Sequence, residues 1–159
     1  MKLVYHCFGG AHTSITCASI HLNYLPCDKI PSEKEFSSIP FYDETESYRV
    51  GTALFMGKDE QGIDVYVWGM KGGKSLVIPS IRSYINQTNS KRNEILFVNA
   101  LSNLHPLTSV GGIASRKLGL VSLGRAMTIK GIILKYPAFV ELVTRVKENL
   151  HQRSISLDL

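Results

Sequence analysis

The opening fourteen residues restrict what this chain can fold into more than any later stretch. An apolar, β-branched and aromatic run from Lys2 to Cys7 is followed by Gly9-Gly10, then by Thr13 and Ser14 ahead of Ile15, Ala18 and Leu22. The run predicts a buried strand. The glycines free the backbone to turn sharply, and Thr13 or Ser14 is placed to cap a helix from Thr13 to about Asn23, ending before Pro26. A helix N-terminus held at a strand end exposes unpaired N–H groups and the positive end of the peptide dipoles, which suits phosphate, sulfate or carboxylate. An ordinary strand-to-helix connection is written with the same residues. Two neighbours favour a functional turn: Cys7, a soft nucleophile at the strand end, and His12, a titratable base within the turn.

The rest of the chain alternates strands with helices. Pro31 to Phe36 predicts a short helix capped by Ser32, and the acidic, aperiodic run Pro40 to Arg49 a mobile loop. Thr52–Met56 and Val65–Trp68 form a predicted antiparallel hairpin around Lys58 to Gly62. A helix is expected from about Ser75 to Thr88, starting late or kinked because of Pro79. Glu94 to Leu101 is nearly continuous in apolar residues, the pattern of a strand covered on both faces. A helix from Pro106 to about Leu118 contains Gly111-Gly112, which demands a packing reason or a break. Leu120 to Leu123 is the last expected strand, Pro137 to about His151 a terminal amphipathic helix, and the last eight residues a frayed end. These elements predict a single α/β domain over residues 1–159, a three-layer sandwich with a mostly parallel sheet of about five strands and one antiparallel hairpin.

Composition narrows the function classes. No apolar run is long enough to span a bilayer, no secretory signal opens the chain, and the expected location is the cytoplasm. Cys7, Cys17 and Cys27 have neither the number nor the spacing of a disulfide framework or zinc ribbon. Cys17 and His21, four apart on one helix face, with His12 or His6, make an incomplete ligand set, so no metal is assigned; no cofactor is implied either. The net charge of +5 is unevenly divided: Met1 to Met70 carries 5 Lys/Arg against 9 Asp/Glu, or −4, and Lys71 to Leu159 carries 13 against 4, or +9. A basic half suits nucleic acid, an acidic surface or phosphorylated small molecules, but the aromatic-interleaved basic stretches of RNA modules are missing.

In open α/β sheets ligands sit beyond the carboxyl ends of the strands. That edge would gather Gly9 to Ser14, Lys71 to Ser75, Asn99 to His105 and Gly124-Arg125. Gly69 to Ser75 invites comparison with the nucleotide-binding P-loop, yet only three residues separate Gly69 from Gly73 where that loop needs four. The expected ligand is a phosphorylated small molecule or nucleotide. Gly9, Gly10, His12, Thr13 and Ser14 would contact its anion, Lys74 and Arg125 would neutralise it, and Cys7 and His12 would be nucleophile and base if a reaction occurs. A non-catalytic regulatory protein, docking through the acidic Asp43 to Glu46 loop or the basic half, is the alternative.

Cys7-Phe8-Gly9-Gly10-Ala11-His12-Thr13-Ser14 resembles the Cys-x-x-Gly-x-x-Thr-Ser loop of the cysteine-phosphorylated B subunits of bacterial sugar phosphotransferase systems, which implies a cysteine carrying phosphate. It is also similar to the Cys-x5-Arg-Ser loop of low-molecular-weight tyrosine phosphatases, with Thr13 at the arginine position and no general-acid aspartate evident. Over most of its length the chain resembles the bacterial domain-of-unknown-function family 3189. This resemblance is carried by Val4 to Ser14, Phe55 to Gly62 with Val65-Tyr66-Val67, and Leu118 to Val121 followed by Gly124-Arg125. It implies a cytoplasmic protein of endospore-forming Firmicutes and supplies no activity; a role in sporulation goes with the regulatory alternative.

Overall fold

The computed structural model describes residues 1–43, 50–88 and 95–155. It is a mixed α/β structure whose sheet has the order β2-β3-β1-β4. The central strand β1 (Lys2–Cys7) pairs in parallel with β3 (Asp64–Gly69) on one side and β4 (Ile95–Asn99) on the other, and β2 (Ala53–Lys58) runs antiparallel to β3. Burial on both faces explains the unbroken apolar run of β1: Leu3 to Cys7 are all buried. Leu3, Tyr5 and Cys7 join Val65 and Val67 in the main core, beneath α1 (Thr13–His21) and α6 (Tyr136–Ile155). Val4 and His6 lie in register with Tyr66, Trp68 and Phe97 on the opposite face. There α3 (Lys74–Gln87) places Arg82, Ile85 and Asn86 around a hollow with Ile95 and Phe97.

Several expectations are corrected. Four strands are present among the described residues, not about five, because Leu120 to Leu123 belongs to a helix, α5 (Val121–Ile133). A four-residue apolar run cannot by itself distinguish strand from buried helix, and α5 buries Ile129 and Ile132, three residues apart, in the core. β4 is an edge strand, half-buried throughout rather than covered on both faces, and Glu94, its expected first residue, lies outside the described residues. Helix α3 starts at Lys74, not late, with Pro79 inside it. Neither Thr13 nor Ser14 caps α1; its N-cap is His12, without a side-chain cap. By contrast α2 (Glu33–Ser37) has the expected Ser32 cap, completed by the Glu35 side chain reaching back. Residues 44–49 of the expected acidic loop and 156–159 of the expected frayed end lie outside the described residues, and α6 extends to Ile155. Among the described residues no helix is long and apolar enough to cross a membrane.

Helix α4 (Pro106–Lys117) packs on α5 as a hairpin in which glycine sets the closeness. A Cβ at Gly111 would stand 2.7 Å from the Gly124 carbonyl oxygen and 2.8 Å from the Thr128 nitrogen. A Cβ at Gly124 would meet the Ser115 nitrogen at 2.5 Å. Gly111, the first of the doublet, therefore marks a contact between two backbones, whereas Gly112 faces the His12 ring.

The turn between β2 and β3 is tied to α1 by a hydrogen-bond relay whose inner end is buried. Asp59 Oδ1 accepts from the Gln61 and Ile63 amides at 2.9 and 2.8 Å, and Asp59 Oδ2 pairs with His21 Nε2 at 3.1 Å. Tyr5 Oη meets His21 Nδ1 at 3.0 Å. Burial pushes His21 below the ordinary imidazole value despite the Asp59 hydrogen bond, and burial with the nearby Lys74 charge does the same to His6. For both, the unfolded chain takes up a proton first as pH falls. Stability present above the unfolded value of 6.5 is thus lost as pH falls through it toward the lower folded values. We expect the urea midpoint to be lower at about pH 5.5 than at about pH 7.5. Identical midpoints would refute this account of the two buried imidazoles.

Candidate functional site

The turn after β1 is held against the end of β3 by backbone hydrogen bonds. Met70 N–H donates to the Cys7 carbonyl at 3.0 Å and Lys71 N–H to the Phe8 carbonyl at 2.8 Å, extending the parallel ladder past its last pair. Gly10, at φ +72°, fits because it has no side chain: a Cβ would stand 2.7 Å from the Gly69 nitrogen. Beyond this crossing opens a cleft of about 600 Å³. Its floor is the turn itself, with Cys7, Phe8, Gly9, Ala11, His12 and Thr13. Leu101 and Leu104, in and after the 3-10 turn at Ala100–Asn103, form one wall, and Thr108, Ser109, Gly112 and Ile113 of α4 form another. Val50 and Lys71 complete the lining, which is mostly carbon.

Within it two hydrogen-bonding groups meet the sulfur of Cys7. Gly10 N–H donates to Sγ at 3.0 Å, and Ser14 Oγ lies 3.1 Å from Sγ. Ser14 is fully buried, so its hydroxyl is spent on the sulfur rather than on a ligand. Cys17, also buried, has its thiol pushed well up by that burial and so stays protonated. His12 turns Nε2 to Asp43 Oδ1 at 2.9 Å, and its ring meets Tyr42 edge-on at a centroid distance of 5.5 Å.

The expected site residues separate into three groups. Cys7, Gly9, His12 and Thr13 line the cleft; Gly10 and Ser14 lie behind it, both engaged with Cys7. Lys74 and Arg125 are not part of the lining. Lys74 acts on His6, on the other face of the sheet, and Arg125 reaches the Tyr42 carbonyl at 3.4 Å and Asp43 Oδ2 at 3.9 Å. Among the described residues the cation that lines the cleft is Lys71, exposed and at φ +47°. His21, part of the incomplete ligand set, is taken up by Tyr5 and Asp59, and no cluster of three metal-ligating side chains occurs among the described residues.

Two residues escaped the sequence reading: Asp43, buried beside His12, and Ser115, which donates to Asp43 Oδ2 at 2.8 Å. The sequence places Asp43 in an acidic mobile loop and at the start of a docking surface, but its side chain is buried and so offers no docking contact. The only local signal is its place at a turn, where its backbone adopts φ +58°, a conformation that Asp tolerates better than most residues.

No curated protein and no solved structure matches the chain. The family model described as Protein of unknown function (DUF3189) matches residues 2–148, and the chain belongs to that family.

Proposed function

We propose that the protein binds a phosphorylated small molecule or nucleotide in this cleft and that Cys7 accepts its phosphoryl group. The observation that carries the reading is the setting of the Cys7 sulfur: two groups able to donate hydrogen bonds converge on it, at 3.0 and 3.1 Å, at the floor of an open cleft. They hold the sulfur, the atom that would attack, in a fixed position. Sulfur attacks phosphorus, the S–P bond forms, and the P–O bond to the leaving group breaks with its electron pair departing on oxygen. The start of α1 and Lys71 supply positive potential for the phosphoryl oxygens. The Leu101, Leu104 and Ile113 walls suit the apolar part of a nucleoside or an aryl or acyl phosphate.

Thermal shift against nucleotides and sugar phosphates tests the binding, since a ligand at a hundred times its Kd adds about 2.7 kcal/mol. Mass spectrometry tests the transfer through a phosphate adduct on Cys7 that is absent from Cys7→Ser. No shift with any of these compounds and no adduct would end the proposal. Lys71→Asn removes the cation while suiting the left-handed backbone at that position. It should weaken binding about tenfold, the equivalent of about 1.4 kcal/mol, with no change in the unliganded melting temperature. Equal affinity for both proteins would take Lys71 out of the site.

A second reading, a non-catalytic regulatory partner in spore-forming bacteria, is favoured by the apolar residues exposed where α4 meets α5: Leu118, Leu120, Val121 and Leu123. A complex formed equally well by Cys7→Ser and Lys71→Asn proteins, and lost on Leu118→Asp, would favour it.

A further inference from the structure

The Asp43 carboxylate is completely buried, and each of its oxygens has a hydrogen-bond partner. Ser115 Oγ donates to Oδ2, Arg125 Nε lies 3.9 Å from the same oxygen, and His12 Nε2 lies 2.9 Å from Oδ1. A carboxylate so placed accepts and does not donate, which puts the shared hydrogen on Nε2; in the ring's neutral form the lone pair is then on Nδ1. Among the described residues no hydrogen-bond partner reaches Nδ1. That side of the ring borders the cleft beside Gly112, where a methyl group added to the glycine would stand 3.7 Å from Nδ1 and 3.4 Å from Cε1, at contact distance. Tyr42, its own hydroxyl held 3.3 Å from Thr128 Oγ1, packs against the imidazole and limits its rotation.

We propose that Asp43 is the positioning residue for His12, fixing the Nε2–H tautomer and presenting Nδ1 to the cleft as a proton acceptor for an O–H nucleophile, either water or an acceptor hydroxyl. This rests on the reading of Cys7 as phosphoryl carrier and supplies its second half. The oxygen attacks phosphorus, the O–P bond forms, the S–P bond breaks with its electron pair returning to sulfur, and the proton passes to Nδ1. A lone pair repels an anion. The phosphoryl oxygens therefore rest on backbone amides and Lys71, and His12 faces the incoming hydroxyl.

Nitrogen-15 NMR of the full-length protein near neutral pH tests the positioning without any ligand. In the native protein His12 Nε2 should resonate as a protonated nitrogen and Nδ1 as an unprotonated one. Asp43→Asn should give a mixture of tautomers, because an amide both donates and accepts, and Ser115→Ala should keep the native pattern. An Nδ1–H tautomer in the native protein, or an unaltered pattern in Asp43→Asn, would overturn the proposal; if Asp43→Asn fails to fold, the native tautomer still decides. The chemistry is followed with p-nitrophenyl phosphate as probe, with glycerol added to separate transfer to a hydroxyl from hydrolysis. His12→Gln should form the Cys7 adduct and lose it roughly a hundredfold more slowly. Adduct loss at the native rate would overturn the role of His12. Absence of any adduct in the native protein would overturn the carrier reading and the proton transfer with it, and the tautomer would still report on Asp43.

Discussion

Gly111→Ala is expected to destabilise the protein by about 3 kcal/mol, while Gly112→Ala, one residue along the same helix, is expected to leave it as stable or slightly more so. Helix propensity favours both changes equally, by roughly 1 kcal/mol. The difference lies in what each new methyl group meets. At position 111 it falls 2.7 Å from the Gly124 carbonyl oxygen and 2.8 Å from both the Met127 Cβ and the Thr128 nitrogen. These atoms belong to the frame of α5, so no rotamer change relieves the overlap; the two helices must separate, and overpacking of this kind costs about 1–3 kcal/mol or more. Separation would also draw Ser115 and Arg125 away from Asp43, to which both are directed. At position 112 the nearest atom is His12 Cε1 at 3.4 Å, an ordinary contact. Thermal denaturation decides the matter, because about 3 kcal/mol corresponds to roughly 6–12 °C in a chain of this size. Equal melting temperatures for the two variants would mean that α4 and α5 do not meet at Gly111.

The contrast also shows which features were legible in the sequence. Local chemistry was: the β1 run, the Ser32 cap with Glu35, and the hairpin around Gly62 each depend on residues within a few positions of one another, and each appears as expected. The glycine pair was visible as an anomaly, but its partner was not, since Gly124 and Thr128 approach it only after the chain reverses between α4 and α5. The same long-range packing hid α5 itself. Its opening residues imitate a strand, and the burial of Gly124, Thr128 and Gly131 against α4 follows no pattern of apolar side chains. The candidate site divides along the same line. Cys7 and His12 are close in sequence to the turn that holds them. Asp43 and Ser115, separated from His12 by 31 positions and from Asp43 by 72 respectively, join it only through tertiary structure. Lys71, rather than Lys74, reaches the cleft because its amide continues the ladder to Phe8 and its backbone turns left-handed there, a geometry that spacing alone does not encode.

Gly69→Ala should be equally damaging, and its effect should extend to the chemistry of Cys7. The added methyl would lie 2.6 Å from both the carbonyl carbon and oxygen of Gly9 and 2.9 Å from the Gly10 nitrogen, all of them backbone atoms. Gly69 is in register with Cys7 at the end of a buried parallel pair, so β3 cannot yield without breaking the ladder, and the turn must lift instead. Lifting it withdraws the Gly10 amide from the Cys7 sulfur and frees the Phe8 carbonyl from Lys71. A loss of about 3 kcal/mol should therefore accompany at least a tenfold fall in the rate of Cys7 phosphorylation by p-nitrophenyl phosphate. Gly72→Ala is the matched control: it lies in the next turn of the same segment, is exposed, and has nothing within 4 Å of its would-be Cβ, so both stability and adduct formation should survive. If Gly69→Ala melts with the native protein and reacts at the native rate, the backbone crossing does not hold the sulfur's donors in place. If it is destabilised yet reacts normally, the crossing is needed for folding but the Gly10 amide is not what prepares Cys7.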